Sequence, residues 1–258
     1  MRVVQYYGVR EKAPPAGVDA PGTYRIRQRV NEMGDTENGE KNRPLSEQEQ
    51  KRVAAFARIE DKMKGKGYVR KDLTITIQKA NVVGPLLVLP FMIAVCAAFV
   101  LIRGTEHITS MIHENKLIDG ILLIVAGISM IPLAVVHEFI HGLSWGIFAE
   151  NHMKDIEYGF IKELITPYCY CRAPLSKGQY IFGSMMPMTI LGLGLSVLGI
   201  VFSSPALMIA GLLQLLGGSG DILITSMLLR YKTEGKDFVI MDHPTECGLV
   251  VFEKAKEA

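Results

Sequence analysis

The sequence predicts an α-helical integral membrane protein of about four transmembrane helices with a small cytosolic α/β cap. Three observations carry that prediction. Residues 80–102 form a 23-residue window without a charge, residues 178–220 form a 43-residue window without one, and residues 120–136 are equally uncharged. A hydrocarbon core of roughly 30 Å takes about 20 apolar helical residues to cross, so the first window spans once and the second is long enough for two spans. Hydrophobic residues make up 49% of the 258. Their segregation into these windows, more than the total, argues for a membrane protein.

The elements follow in chain order. Residues 1–44, with VREKAPPAGVDAPG and NEMGDTENGEKNRP, are rich in Pro, Gly and charge. That composition cannot bury enough apolar surface to order itself, and the segment is expected to be disordered. Residues 45–79 read as a cytosolic helix and strand. Ser46 and Glu49 make an S-x-x-E capping box opening a helix that runs to about Met63 and stops at Gly65. Leu73, Ile75 and Ile77 then alternate with Thr74 and Thr76, a strand signal. Residues 80–230 form the membrane core, with spans near 80–102, 120–149, 179–202 and 206–229. Ser203, Ser204 and Pro205 supply the turn between the last two, and Pro132 and Pro187 are expected to kink their helices. Between the second and third spans, residues 156–172 (IEYGFIKELITPYCYCR) read as two short strands. So does the tail 231–258, where DFVIM and GLVVF flank DHPTEC. The chain has no internal repeat.

Charge places these elements relative to the bilayer. Lys and Arg number 17 in residues 1–79, two in 103–119, four in 150–177 and five from Arg230 to the end. The positive-inside rule puts both termini and the 150–177 loop in the cytosol, with 103–119 outside. No early apolar stretch resembles a signal peptide, so the first span is expected to act as an uncleaved anchor. Organelle-targeting signals are lacking too, which points to the plasma membrane. A net charge of +2 gives no reason to expect a nucleic-acid partner; the lipid bilayer is the expected surrounding. Cys96 falls in a span, and Cys169, Cys171 and Cys247 fall on the cytosolic side, where thiols stay reduced. Cys169 and Cys171 lack the spacing of a zinc knuckle and read as strand residues.

Chemistry concentrates in VVHEFIHGLSW, residues 135–145, where two histidines and a glutamate interrupt an apolar run. His137, Glu138 and His141 fit H-E-x-x-H. At 100° per residue His137 and His141 lie on one helix face, one turn apart, where two imidazole nitrogens can reach one tetrahedral zinc about 2.0–2.1 Å from each. Glu138, on the adjoining face, is placed to take a proton from water activated by the metal. An ionised residue at the centre of a span costs on the order of 2.5–3.5 kcal/mol, so such residues usually serve function. The bland alternative is a set of satisfied polar side chains holding helices together.

A third ligand is needed. Six residues after His141, where a metzincin would carry histidine, stands Ile147. His152 and Glu163 are near in sequence but lie in the polar loop. Asp221 is the only charged residue between Lys177 and Arg230, and an unpaired carboxylate there would be costly. His141 is nine residues before Glu150 and Asp221 nine before Arg230, so both side chains sit about 13 Å from the cytosolic end of their helices. Gly217, Gly218 and Gly220 beside Asp221 permit close helix approach or a break in the fourth helix. His107 and His113 read as solvated outer-loop residues, His243 as a turn or capping residue, and Trp145 as an interfacial or packing residue.

VVHEFIHGLSWGIF, TPYCYCRAPLSKGQY, MMPM, GGSGDI and MDHPTECG together resemble a family of small integral-membrane zincin peptidases of unassigned function, similar in general to site-2 proteases. The resemblance covers roughly residues 65–252 and leaves out the first 44. It implies His137 and His141 as Zn2+ ligands, Glu138 as general base and Asp221 as third ligand. Site-2 proteases usually carry Gly after that Asp, and here Ile222 follows. The expected function is intramembrane hydrolysis of peptide bonds in membrane or membrane-edge protein substrates, with TPYCYC offering a strand edge to the extended peptide. The alternative is a non-catalytic membrane adaptor that binds zinc or a partner helix. The sequence leaves the oligomeric state open.

Overall fold

The computed structural model describes residues 47–106, 116–161 and 166–255. Residues 1–44, Ser46 of the expected capping box, His107, His113 and Glu163 lie outside them. The chain divides into two compact units, Met1–Arg58 and Ile59–Ala258, and the elements that position the site belong to the second. Helix α1 (Glu47–Gly65) begins with Glu47 and Glu49 and ends with Lys62 and Lys64, the charge order that complements a helix dipole.

The strand expected over Leu73–Ile77 is displaced. Strand β1 covers Val69–Thr74, and Thr76 instead caps helix α2 (Ile77–Arg103), its side chain accepting the Lys79 N–H. A threonine in extended conformation before an apolar run serves equally as strand residue or N-cap. The charge-free run that follows makes the helix the better continuation. Helix α2 covers the first apolar window. Helix α3 (Lys116–Gly146) covers the second and carries the H-E-x-x-H residues.

Beyond α3 a 3-10 turn leads into the hairpin β2 (Ile156–Ile161) and β3 (Thr166–Cys171), paired antiparallel with Tyr158 opposite Cys169. The third apolar segment begins at a Ser176–Gln179 capping box and runs as α4 (Lys177–Pro187), a π-helical stretch (Met188–Leu193) and α5 (Gly194–Val201). The change of winding falls at Pro187, which supplies no backbone donor. Ser204 caps the next helix and Pro205 takes its first position. Helices α6 (Pro205–Gly217) and α7 (Ser219–Arg230) are bent by 47° at Gly218. Among the described residues, helices α2, α3 from Gly127 onward, and the run Lys177–Val201 are each long and apolar enough to cross a membrane, and the bent pair α6–α7 passes the same test of length and composition only when its two helices are taken together.

The tail forms β4 (Lys236–Asp242) and β5 (Gly248–Ala255), and β5 lies between β1 and β4 in an antiparallel three-stranded sheet. Leu249, Val250, Val251 and Phe252 of the central strand are fully buried. One apolar core unites Trp145, Tyr180 and Leu228 of the helices, Ile156 and Cys171 of the hairpin, and Ile240, Leu249 and Val251 of the sheet. The metal-ligating candidates sit immediately beside this junction, so both sheets bear on one end of the helices.

Candidate metal centre

Helical periodicity brings His137 and His141 together on α3, their rings edge to face with centroids 4.9 Å apart. Asp221 arrives from α7. It lies in that helix's first turn, directly after the bend, with its N–H donated to the Gly218 carbonyl at 3.1 Å. The Asp221 carboxylate spans both imidazoles, Oδ2 standing 3.0 Å from His137 Nε2 and Oδ1 standing 3.3 Å from His141 Nε2. One ligand atom from each of the three residues lies within 4.8 Å of the other two. Both histidines are buried and Asp221 is partly buried. The expected third ligand therefore meets the histidine pair.

Hydrogen-bond sense tests whether these residues fit a cation. His141 Nδ1 lies 2.9 Å from the Gly183 carbonyl. A carbonyl only accepts, so Nδ1 carries the proton, and in a neutral ring Nε2 is a bare lone pair. That lone pair points at a carboxylate oxygen. Two acceptors facing one another need a second ring proton or a metal cation between them. Ligands about 2.0–2.1 Å from a tetrahedral zinc stand roughly 3.3 Å apart, close to the two observed separations. The donor set fits zinc, and a carbonyl that fixes the far nitrogen is the usual outer support of a ligating histidine.

Trp145 supplies the rest of that support. Its ring stacks on His141 at 4.8 Å between centroids and 11° between planes, and its Nε1–H donates to the Tyr180 carbonyl at 3.0 Å. Tyr180 and Gly183 are both on α4. A Cβ at Gly183 would fall 2.1 Å from Trp145 Cδ1, so only glycine lets the indole lie flat there. Trp145 is buried, which makes it a platform for the ligand rather than an interfacial anchor. On the other side of the site Ser184 Oγ donates to the Asp221 carbonyl and receives the Thr225 hydroxyl.

Glu138 lies half-buried beside the triad, and its carboxylate faces the backbone amide of Cys169 in β3. Burial pushes the Cys171 thiol up to about 12 and that of Cys169 higher still, and neither sulfur belongs to the group of ligand atoms close enough to share one ion. His152 lies elsewhere, with Nδ1–H donating to the Gly146 carbonyl at 3.1 Å. His243 caps its own turn, Nδ1 accepting from Thr245 and Glu246 N–H. Among the described residues, His137, His141 and Asp221 are the cluster able to hold an ion. Sequence reading missed Gly183, Tyr180 and the stacking role of Trp145. The Gly-Ser pair inside the apolar run YIFGSMM was a usable sign of close packing.

A helix bearing two histidines and a glutamate, closed by an aspartate from a second helix, has the donor set of a zinc metallopeptidase. Residues 130–235 match the model of a family described as "putative zincin peptidase", and that stretch contains all four site residues. No curated protein and no solved structure matches the chain.

Proposed function

We propose that the protein is an intramembrane zinc metallopeptidase that hydrolyses peptide bonds in membrane or membrane-edge protein substrates. The observation that carries this reading is the meeting of His137, His141 and Asp221 from two helices long and apolar enough, with their partners, to cross a membrane. His137, His141 and Asp221 would hold the ion. Zinc bound there supplies Lewis acidity, polarising the scissile carbonyl and lowering the pKa of water from 15.7 towards about 7. Glu138 then takes the water proton and passes it to the departing amine nitrogen. Trp145 and Gly183 keep the His141 ring oriented throughout.

Strand β3 is the natural place for the substrate. It pairs with β2 on one side, and among the described residues no strand pairs with its other edge. The Cys169 amide faces Glu138, so an extended peptide added at that edge would run beside the base. The Lys and Arg distribution supports a cytosolic side for both termini and the hairpin, and the lack of organelle-targeting signals supports the plasma membrane.

The test is bound metal per chain, by mass spectrometry of detergent-purified protein, for wild type beside His141→Ala and Asp221→Ala. About one zinc in wild type, lost in both variants, is the expected result. Correctly folded wild type without metal would overturn the reading and favour a partner-helix adaptor.

A further inference from the structure

The edge of β3 is not open along its whole length, and the residue that closes one end comes from the tail. Arg172 N–H donates to the Asp155 carbonyl at 2.8 Å, which makes that pair a hydrogen-bonded one. Antiparallel pairing alternates, so the Ile156–Cys171, Tyr158–Cys169 and Phe160–Pro167 pairs are non-bonded. The backbone groups of Pro167, Cys169 and Cys171 therefore point away from β2, towards the outer edge. Proline has no N–H to offer. The Cys171 N–H is already taken, donating to Asp242 Oδ2 at 2.8 Å. The edge is bracketed by Pro167 at one end and Asp242 at the other, and between them the Cys169 N–H faces Glu138, which leaves the outward carbonyls of Pro167 and Cys169 for a further strand.

Asp242 is built to stay there. It ends β4, and the bridge between Leu175 and Ile240 ties β4 to the segment just after β3. Its other carboxylate oxygen accepts the Tyr180 O–H from α4, and its own carbonyl accepts the Tyr170 O–H. Tyr180 in turn accepts the Trp145 indole N–H through its carbonyl. One carboxylate thus joins the tail sheet, the hairpin edge and the helix that orients His141. It lies outside the matched stretch 130–235.

Resting on the peptidase reading above, we propose that Asp242 is a positioning residue for substrate. It holds β3 against the helices and blocks the Cys171 amide, so an extended substrate donates its own N–H groups to the Pro167 and Cys169 carbonyls and pairs no further. The carboxylate meets the Cys171 N–H and the Tyr180 O–H, and its effect is on where the peptide lies.

Two probes separate this role from general structural support. Acetohydroxamate reports the metal alone, and an apolar tripeptide hydroxamate reports metal and edge together. Binding of each to zinc-loaded full-length protein in detergent is followed by fluorescence of the single tryptophan, Trp145, which stacks on His141. Asp242→Ala is expected to weaken the tripeptide probe about tenfold, the size of a lost charge-assisted hydrogen bond, and to leave acetohydroxamate and zinc content unchanged. Asp242→Asn, which keeps an acceptor for the Cys171 N–H, should restore most of the loss. Equal weakening of both probes, or of neither, overturns the proposal. Should Asp242→Ala fail to fold, Tyr180→Phe decides: a selective loss of tripeptide affinity supports the role, and unchanged affinity overturns it. Wild type that folds but binds neither probe overturns the peptidase reading itself, and this inference with it.

Discussion

Glu253 and Asp221 are both carboxylates flanked by two nitrogen-bearing side chains, and their surroundings differ in hydrogen-bond sense. Glu253 of β5 meets the ammonium groups of Lys71 at 3.2 Å and Lys236 at 2.9 Å, together with the Tyr231 O–H. Asp221 meets two imidazoles at 3.0 and 3.3 Å. By distance alone the clusters are alike. An ammonium has three donors and no acceptor, so the Glu253 cluster is complete as it stands. His141 directs one ring nitrogen to Gly183, so the Asp221 cluster is completed either by a second ring proton or by a metal ion. The second arrangement, set among apolar helices, is the one whose donor atoms could hold a metal.

The comparison can be broken directly by giving the triad an ammonium. His137→Lys would convert the Asp221 cluster into one of the Glu253 kind. The chain is expected to fold, with the introduced ammonium paired to Asp221 and zinc affinity reduced by at least about 100-fold. Metal analysis beside a thermal melt checks both halves, and near-stoichiometric zinc in the variant would show that His137 is not a ligand. Glu138→Gln should do the reverse, keeping zinc while lowering hydrolysis of a membrane-edge peptide about 10²–10⁴-fold. Unchanged turnover would remove Glu138 as the base.

These residues differed in how plainly the sequence announced them. His137 and His141 were legible because four residues is a helical turn and the context is apolar. Asp221 was legible because no other charge stands between Lys177 and Arg230. The helices were legible through the charge-free windows, and the hairpin through the alternation in IEYGFI and TPYCYC. What escaped is set by contacts between distant segments. Nothing local marks Gly183 as the acceptor for His141, or Asp242 as the partner of Cys171, because each pairing spans at least 42 residues. Strand β1 was misplaced for a local reason, the double suitability of Thr76 as strand residue or cap.

A smaller effect is expected at the platform behind His141. In Gly183→Ala the new methyl would sit 2.1 Å from Trp145 Cδ1 and tilt the indole off the imidazole. Overpacking of this kind costs about 1–3 kcal/mol, and disturbing the support of a metal ligand typically costs about 10–100-fold in affinity. Gly178→Ala, where nothing lies within 4 Å of the added carbon, should leave both the melting temperature and zinc affinity as they are. A zinc titration of the two variants makes the comparison, and equal behaviour would refute the platform role.

The smallest effect belongs to the complete cluster. The Lys236 ammonium, the Tyr231 O–H and then Lys71 hold the Glu253 carboxyl at about 2, below its ordinary 4.5. A carboxylate with a lowered value stabilises the fold fully above pH 4.5, and that contribution fades as the pH falls from there towards 2. Both lysines are more than one-third exposed, so solvent screening limits the contribution to about 1 kcal/mol. Glu253→Gln should therefore lower stability by that amount at neutral pH and flatten the acid limb of the stability profile. Zinc content should not change, since no ion is needed to complete this cluster. Denaturation midpoints at pH 7 and pH 3 check it, and a variant that lost zinc would show that the two carboxylates are linked after all.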